Sequence, residues 1–177
     1  IGAKPDKKKI LLIVLKKLAE QTGQDFDGLF GPAYKGIPLA SSVAVAFADE
    51  GKDYPVSFNR KEVKDHGEGG TLLGALLHGR ILAIDDVVTA GTAVRESVDF
   101  IKNQGASLCA FCVAVDRQER GQEGSGSALA ELSETFQLVP ISIVTLDDIL
   151  AFAADDPRVA DDVAPRIEAY RAQYGAL

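Results

Sequence analysis

The chain has 177 residues, 46% hydrophobic and 25% charged, with 26 acids against 19 Lys and Arg and a net charge of −7. That size suits one domain whose core needs no staples, and the composition is globular rather than disordered. The acidic balance argues against non-specific binding to nucleic acid or an anionic membrane, both of which need a basic field, and two cysteines exclude a disulfide-dense scaffold.

The chain contains no Met, even at position 1, so we expect part of the translated protein to precede it. Residues 4–9 are Lys-rich and lead into the apolar run Ile10–Leu15, as a signal peptide does. That run is far short of the ~20 residues that span a bilayer, and Lys16 and Lys17 interrupt it. A cytoplasmic protein is expected. Residues 9–22 read as a helix, with Leu11, Leu15, Leu18 and Ala19 on one face and Gly23 as its stop. A short strand over 28–30 follows, closed by Gly31-Pro32. Residues 37–50 are Ala- and Val-rich and predict a buried helix ending at Gly51. Residues 55–58 read as a strand. Residues 60–70 (RKEVKDHGEGG) have no sustained apolar period and read as a long loop.

Ile81 to Ile84 is a continuous apolar run ending in Asp85-Asp86. A helix over 92–104 is stopped by Gly105, and 108–115 is a second continuous apolar strand. A polar loop over 116–126, a helix over 127–136, a strand over 140–144 and acidic helices from 146 to 177 complete the chain. Strands buried on both faces alternate with helices. The expected class is therefore α/β, a mainly parallel sheet flanked by helices. We expect a single domain over 1–177, with its core at about 24–153.

Residues 81–94 (ILAIDDVVTAGTAV) carry the most specific chemistry. A buried parallel strand delivers Asp85 and Asp86 to its C-terminal edge, where open α/β sheets bind ligands. Thr89-Ala90-Gly91-Thr92 then turns into a helix. Its small residues allow close backbone approach, and its N-terminal N–H groups favour a phosphate. The carboxylates suit sugar hydroxyls or Mg²⁺. A sugar phosphate fits both features; the plainer alternative is a strand-end turn and a helix cap.

Arg60, Lys61, Lys64 and His66 gather in one segment flanked by Gly67, Gly69 and Gly70, as a mobile cationic lid would. Arg117 and Arg120 follow a buried strand, and could simply pair with Asp116 and Glu119. Cys109 and Cys112 form a C-x-x-C inside an apolar strand. Redox pairs of that kind sit at helix N-termini, and a three-residue offset in a strand predicts opposite faces, so structural cysteines are expected. Neither a Walker A sequence nor G-x-G-x-x-G is present.

The segment 81–94 resembles the phosphoribosyl-diphosphate (PRPP) motif of type I phosphoribosyltransferases. With FGPAYKGIPLA at 30–40, FNRKEVKDHGEGG at 58–70 and DRQERG at 116–121, the chain resembles the orotate phosphoribosyltransferases from about Phe26 to AYRAQYG at 169–175. The resemblance implies a type I phosphoribosyltransferase fold: a Rossmann-like core, a small hood and a mobile catalytic loop at about 60–71. It also implies transfer of phosphoribosyl from PRPP to orotate, with Mg²⁺ bound mainly through PRPP.

On this resemblance Asp85 and Asp86 hold the ribose hydroxyls, and the segment through Val87, Val88, Thr89, Ala90, Gly91, Thr92 and Ala93 holds the 5′-phosphate. Tyr34 and Lys35 line the PRPP site. Arg60, Lys61, Lys64, Asp65 and His66 belong to the catalytic loop, and Thr89 and Arg117 contact orotate. The family loop reaches the neighbouring subunit's site, which implies a homodimer. The family's N-terminal K-S-G-R-x-S-P-Y-F type segment, part of the orotate site, has no counterpart in residues 1–25, so the hood is expected to be incomplete. A PRPP-binding regulator without catalysis and a purine phosphoribosyltransferase are the alternatives.

Overall fold

The computed structural model describes residues 23, 25–64, 70–89, 91–122 and 126–176, with backbone alone at 63, 64 and 70. The helix expected over 9–22 lies outside the described residues. Six strands form one sheet in the order β3-β2-β1-β4-β5-β6. They are β1 (Gly28–Gly31), β2 (Val56–Lys64), β3 (Gly70–Gly74), β4 (Arg80–Val87), β5 (Ser107–Asp116) and β6 (Val139–Thr145). All neighbours are parallel except β2 and β3. Helices α1 (Gly36–Asp49), α2 (Thr92–Asn103) and α3 (Ala128–Phe136) connect strands, and α4 (Leu146–Asp155) and α5 (Val163–Tyr174) follow the sheet. None of the described helices is long and apolar enough to cross a membrane.

The continuous apolar runs are explained by burial on both faces. Leu29, Leu82, Ile84, Cys112 and Ile141 pack with Ala40, Val43 and Phe47 of α1. Their sequence neighbours Phe30, Ala83, Phe111 and Val113 point the other way, against Val94 and Ile101 of α2 and Leu129 and Leu132 of α3. Successive side chains of a strand alternate in this way, so neither face can be polar.

Two expectations need correction. Residues 60–64 and 70 are strand rather than loop, because β2 continues to Lys64 and pairs back with β3, Lys64 opposite Gly70. The hairpin lies at the sheet edge, and the last of its described side chains to pack on the two cores are Phe58 and Leu72, so the stretch beyond them carries no apolar period. The register shifts between Asn59, opposite Leu72, and Lys64, opposite Gly70, so three extra residues bulge from β2. Bulges re-aim side chains, and this one contains Arg60 and Lys61.

The second correction concerns the cysteines. Ile81 pairs with Leu108 but Leu82 pairs with Ala110, leaving Cys109 as the extra residue of a bulge. The bulge shifts the pleat, so Cys109 packs on the same face as Cys112 rather than the opposite one. Cys112 is inert, because burial pushes its thiol up to about 12.

Beyond β5 the chain is tied to its own C-terminus. The Arg120 N–H donates to the Tyr174 carbonyl at 2.8 Å and the Ala176 N–H to the Gln118 carbonyl at 2.9 Å.

Candidate functional site

The C-terminal ends of the parallel strands share one edge, and the loops leaving them carry the candidate residues. Strand β4 delivers Asp85 and Asp86 there. Asp85 is 9% exposed, and its Oδ1 accepts the Asp86 N–H at 2.8 Å. Burial raises the Asp85 carboxyl to about 6. Asp86 is more open. Burial alone would raise it as well, but the Lys35 ammonium, together with hydrogen bonds from the Val87 N–H and Asp85, outweighs that and holds it below the usual carboxylate range.

Lys35 Nζ donates to Asp86 Oδ2 at 2.5 Å. Two glycines make this meeting possible. A Cβ on Gly36 would lie 2.5 Å from Pro32 Cδ and 2.7 Å from the Ile84 carbonyl oxygen, and one on Gly31 2.5 Å from the Gly36 carbonyl oxygen. The β1–α1 turn therefore rests directly on the end of β4. The Ala33 N–H in that turn donates to Asn59 Oδ1 at 2.7 Å, fastening the turn to β2.

Tyr34 is 66% exposed. With Asn59, Arg60, Lys61 and Glu62 it lines a cleft of about 240 Å³. Lys61 Nζ lies 5.3 Å from the Tyr34 ring centroid, a cation–π geometry. Thus Tyr34 and Lys35, the bulge of β2 and the carboxylate pair, distant in sequence, converge on one side of the sheet edge.

The other side is the start of α2. Gly91 precedes it in the left-handed region, with φ of 77°, and no side chain caps the helix. A Cβ at Gly91 would meet Leu132 Cδ1 at 2.7 Å, so a larger residue suffers both backbone strain and a clash. The first turn carries no acid, and its N–H groups lack intrahelical partners, as in any helix. That electrostatic setting attracts an anion. Thr89, Thr92 and Ala93 are exposed beside it. Val87 pairs with Val115 of β5 and Val88 is buried, so both anchor the turn.

Arg117 follows β5. Its guanidinium pairs with Glu119 at 2.7 Å, the plainer partner anticipated from the sequence, and its charge reaches Lys35. With Leu146, Val163, Ile167 and Tyr170 it lines a cavity of about 430 Å³. Asp65, His66 and Ala90 lie outside the described residues, and of Lys64 only the backbone is described. Sequence reasoning missed Asn59, although it sits inside the quoted segment 58–70. It also missed Tyr170, whose hydroxyl donates to Glu119 across 51 positions.

The raised Asp85 carboxyl has a thermodynamic consequence. Its proton is bound more tightly in the folded than in the unfolded chain, so the stability it contributes is lost as pH rises through about 6. Asp85→Asn is expected to unfold at a higher temperature than wild type at about pH 8 and to lose that advantage by about pH 4. Thermal unfolding of both proteins across that range checks this; a pH-independent difference would contradict it.

The chain matches the phosphoribosyl transferase domain family over residues 6–138. It is 55% identical to the orotate phosphoribosyltransferase of Laribacter hongkongensis, covering 88% of this chain and 72% of that one. It is 54% identical to that of Pseudomonas aeruginosa, covering 87% and 72%. Among solved structures, orotate phosphoribosyltransferase from Francisella tularensis matches with a TM-score of 0.75 at 29% identity, over 97% of this chain and 82% of that one.

Proposed function

The chain belongs to the orotate phosphoribosyltransferases, within the phosphoribosyl transferase domain family, and on that premise we propose how its sheet edge divides the work. The enzyme transfers the phosphoribosyl group of PRPP to orotate, releasing diphosphate and forming orotidine 5′-monophosphate in pyrimidine biosynthesis. The observation that carries the assignment of residues is the convergence of Lys35 on Asp86, beside the uncapped start of α2.

Asp85 and Asp86 accept the ribose hydroxyls. The turn through Thr89–Ala93 takes the 5′-phosphate on backbone N–H groups and the Thr89 and Thr92 hydroxyls. Tyr34 and Lys35 flank the diphosphate, with Arg60 and Lys61 of the β2 bulge, and we assign Lys64, Asp65 and His66, which follow in sequence, to the same catalytic segment. As the ribose C1 loses diphosphate it becomes oxocarbenium-like, and negative charge grows on the leaving group. Cations fixed there lower the barrier more than they strengthen ground-state binding. Arg117, with Thr89, receives orotate.

Mg²⁺ fits this arrangement as an ion that arrives with PRPP. Among the described residues no group of three or more His, Cys, Asp and Glu is placed to hold a metal. Asp85 and Asp86 offer a pair of carboxylates, and Mg²⁺ commonly takes one or two carboxylates together with substrate phosphates and water. When bound, it neutralises diphosphate charge. The protein acts in the cytoplasm, as a homodimer with sites completed across the interface.

The test is orotate absorbance in an assay of the full-length protein with PRPP and Mg²⁺. Absorbance is expected to fall with orotate present, and adenine, guanine and hypoxanthine are expected to yield no nucleotide. Turnover of a purine in place of orotate would reverse the assignment. For the shared site, a nearly inactive Lys64→Ala protein mixed with an inactive Asp86→Asn protein is expected to regain activity, because one kind of mixed-dimer site has both residues intact. Proven subunit exchange without recovery would show that each subunit completes its own site.

A further inference from the structure

We propose that Glu119 is a positioning residue for Arg117, itself locked by Tyr170, so that α5 sets the affinity for orotate. The proposal rests on the assignment of Arg117 to orotate. One oxygen, Glu119 Oε1, takes both Arg117 Nη2, at 2.7 Å, and the Tyr170 hydroxyl. The Glu119 side chain is only 14% exposed. A carboxylate so enclosed and doubly engaged holds its orientation, and an arginine hydrogen-bonded to it gives up its rotamer freedom before substrate arrives.

The backbone reinforces the same geometry. Glu119 forms an antiparallel bridge with Gly175, flanked by the hydrogen bonds that tie Gln118 and Arg120 to the C-terminal residues. The Gln118 amide donates to Asp147 Oδ2 at 2.9 Å, and Arg171 of α5 holds the other oxygen of Asp147 at 2.7 Å. The loop carrying Arg117 is thus fixed to α4 and α5 at several points. Glu119 engages the Arg117 guanidinium through Nη2, and an arginine carries five N–H donors, so donor capacity remains for a substrate carboxylate.

Two simpler roles predict different results. If Glu119 merely neutralised Arg117, removing its charge would strengthen orotate binding. If it only stabilised the fold, its loss would lower thermal stability without favouring one substrate over the other. Positioning predicts a selective loss. In the full-length protein, Glu119→Gln should raise KM for orotate about five- to tenfold, with kcat and KM for PRPP within about twofold of wild type. Tyr170→Phe, which keeps the ring, should raise it about two- to threefold.

Arg117→Ala should raise KM for orotate more than about tenfold, and adding Glu119→Gln to it should change nothing further. An unchanged orotate KM in Arg117→Ala would overturn the Arg117 assignment, and the proposal with it. If Arg117→Ala behaves as expected, an unchanged or lower orotate KM in Glu119→Gln overturns the positioning role alone, as does additivity in the double variant. Should Glu119→Gln fail to fold, Tyr170→Phe alone and with Arg117→Ala carries the same comparison.

Discussion

Asp85→Asn together with Asp86→Asn is expected to lower kcat/KM for PRPP about 10²- to 10⁴-fold, because each lost hydrogen bond to a charged group removes about 1.5–3 kcal/mol. The fold should survive. Asn keeps an Oδ1 that can accept the N–H of residue 86, and the apolar part of β4 is untouched. Circular dichroism and thermal unfolding establish that the variant is folded, and steady-state kinetics at saturating orotate read the effect. The loss is expected to fall on PRPP because the pair sits at the strand end beside the uncapped helix, where the proposed assignment puts the ribose and its 5′-phosphate together. Near-normal kinetics would remove the pair from the ribose site.

Lys64→Ala is expected to cut kcat about 10²- to 10³-fold, the usual cost of deleting one group that stabilises transition-state charge. PRPP binding should change less than about threefold, since the interaction grows as the diphosphate departs. Lys64 ends β2 opposite Gly70, beyond the bulge that carries Arg60 and Lys61. The proposed assignment gives those two cations to the bound substrate and Lys64 to the departing diphosphate. Single-turnover kinetics and equilibrium PRPP binding separate the two quantities. A variant that loses binding and retains kcat would make Lys64 a ground-state ligand.

The sequence revealed most where burial constrains it. The run Ile81–Ile84 is apolar because both faces of β4 are covered, and Asp85 breaks it where the strand reaches the edge. The stop at Gly105 and the start at Thr92 were equally legible, since helix ends carry local signals. The hairpin was not. Only Lys64 of this stretch pairs with β3, opposite Gly70, while the register shift after Asn59 leaves Arg60 and Lys61 in a bulge, and a bulged edge ladder leaves no apolar alternation to read. The Cys109 bulge was hidden for a related reason: an extra residue in a buried strand is also apolar, so the pattern stays continuous while the facing changes. The contacts of Lys35 with Asp86 and of Tyr170 with Glu119 span 51 positions each, and no local spacing announces them.

The closed Lys35–Asp86 pair bears on how the enzyme responds to ionic strength. Lys35 Nζ and Asp86 Oδ2 stand 2.5 Å apart, with the lysine largely in solvent. An anionic substrate that takes the ammonium, while its hydroxyls take the carboxylate, must first part them. Salt screens the attraction of the site for that substrate, but it also weakens an exposed ion pair and so eases its opening. The two effects oppose each other. With Lys35 and Asp86 assigned to PRPP as proposed, the resting pair is expected to damp the salt sensitivity that a lone, waiting cation would impose on PRPP capture.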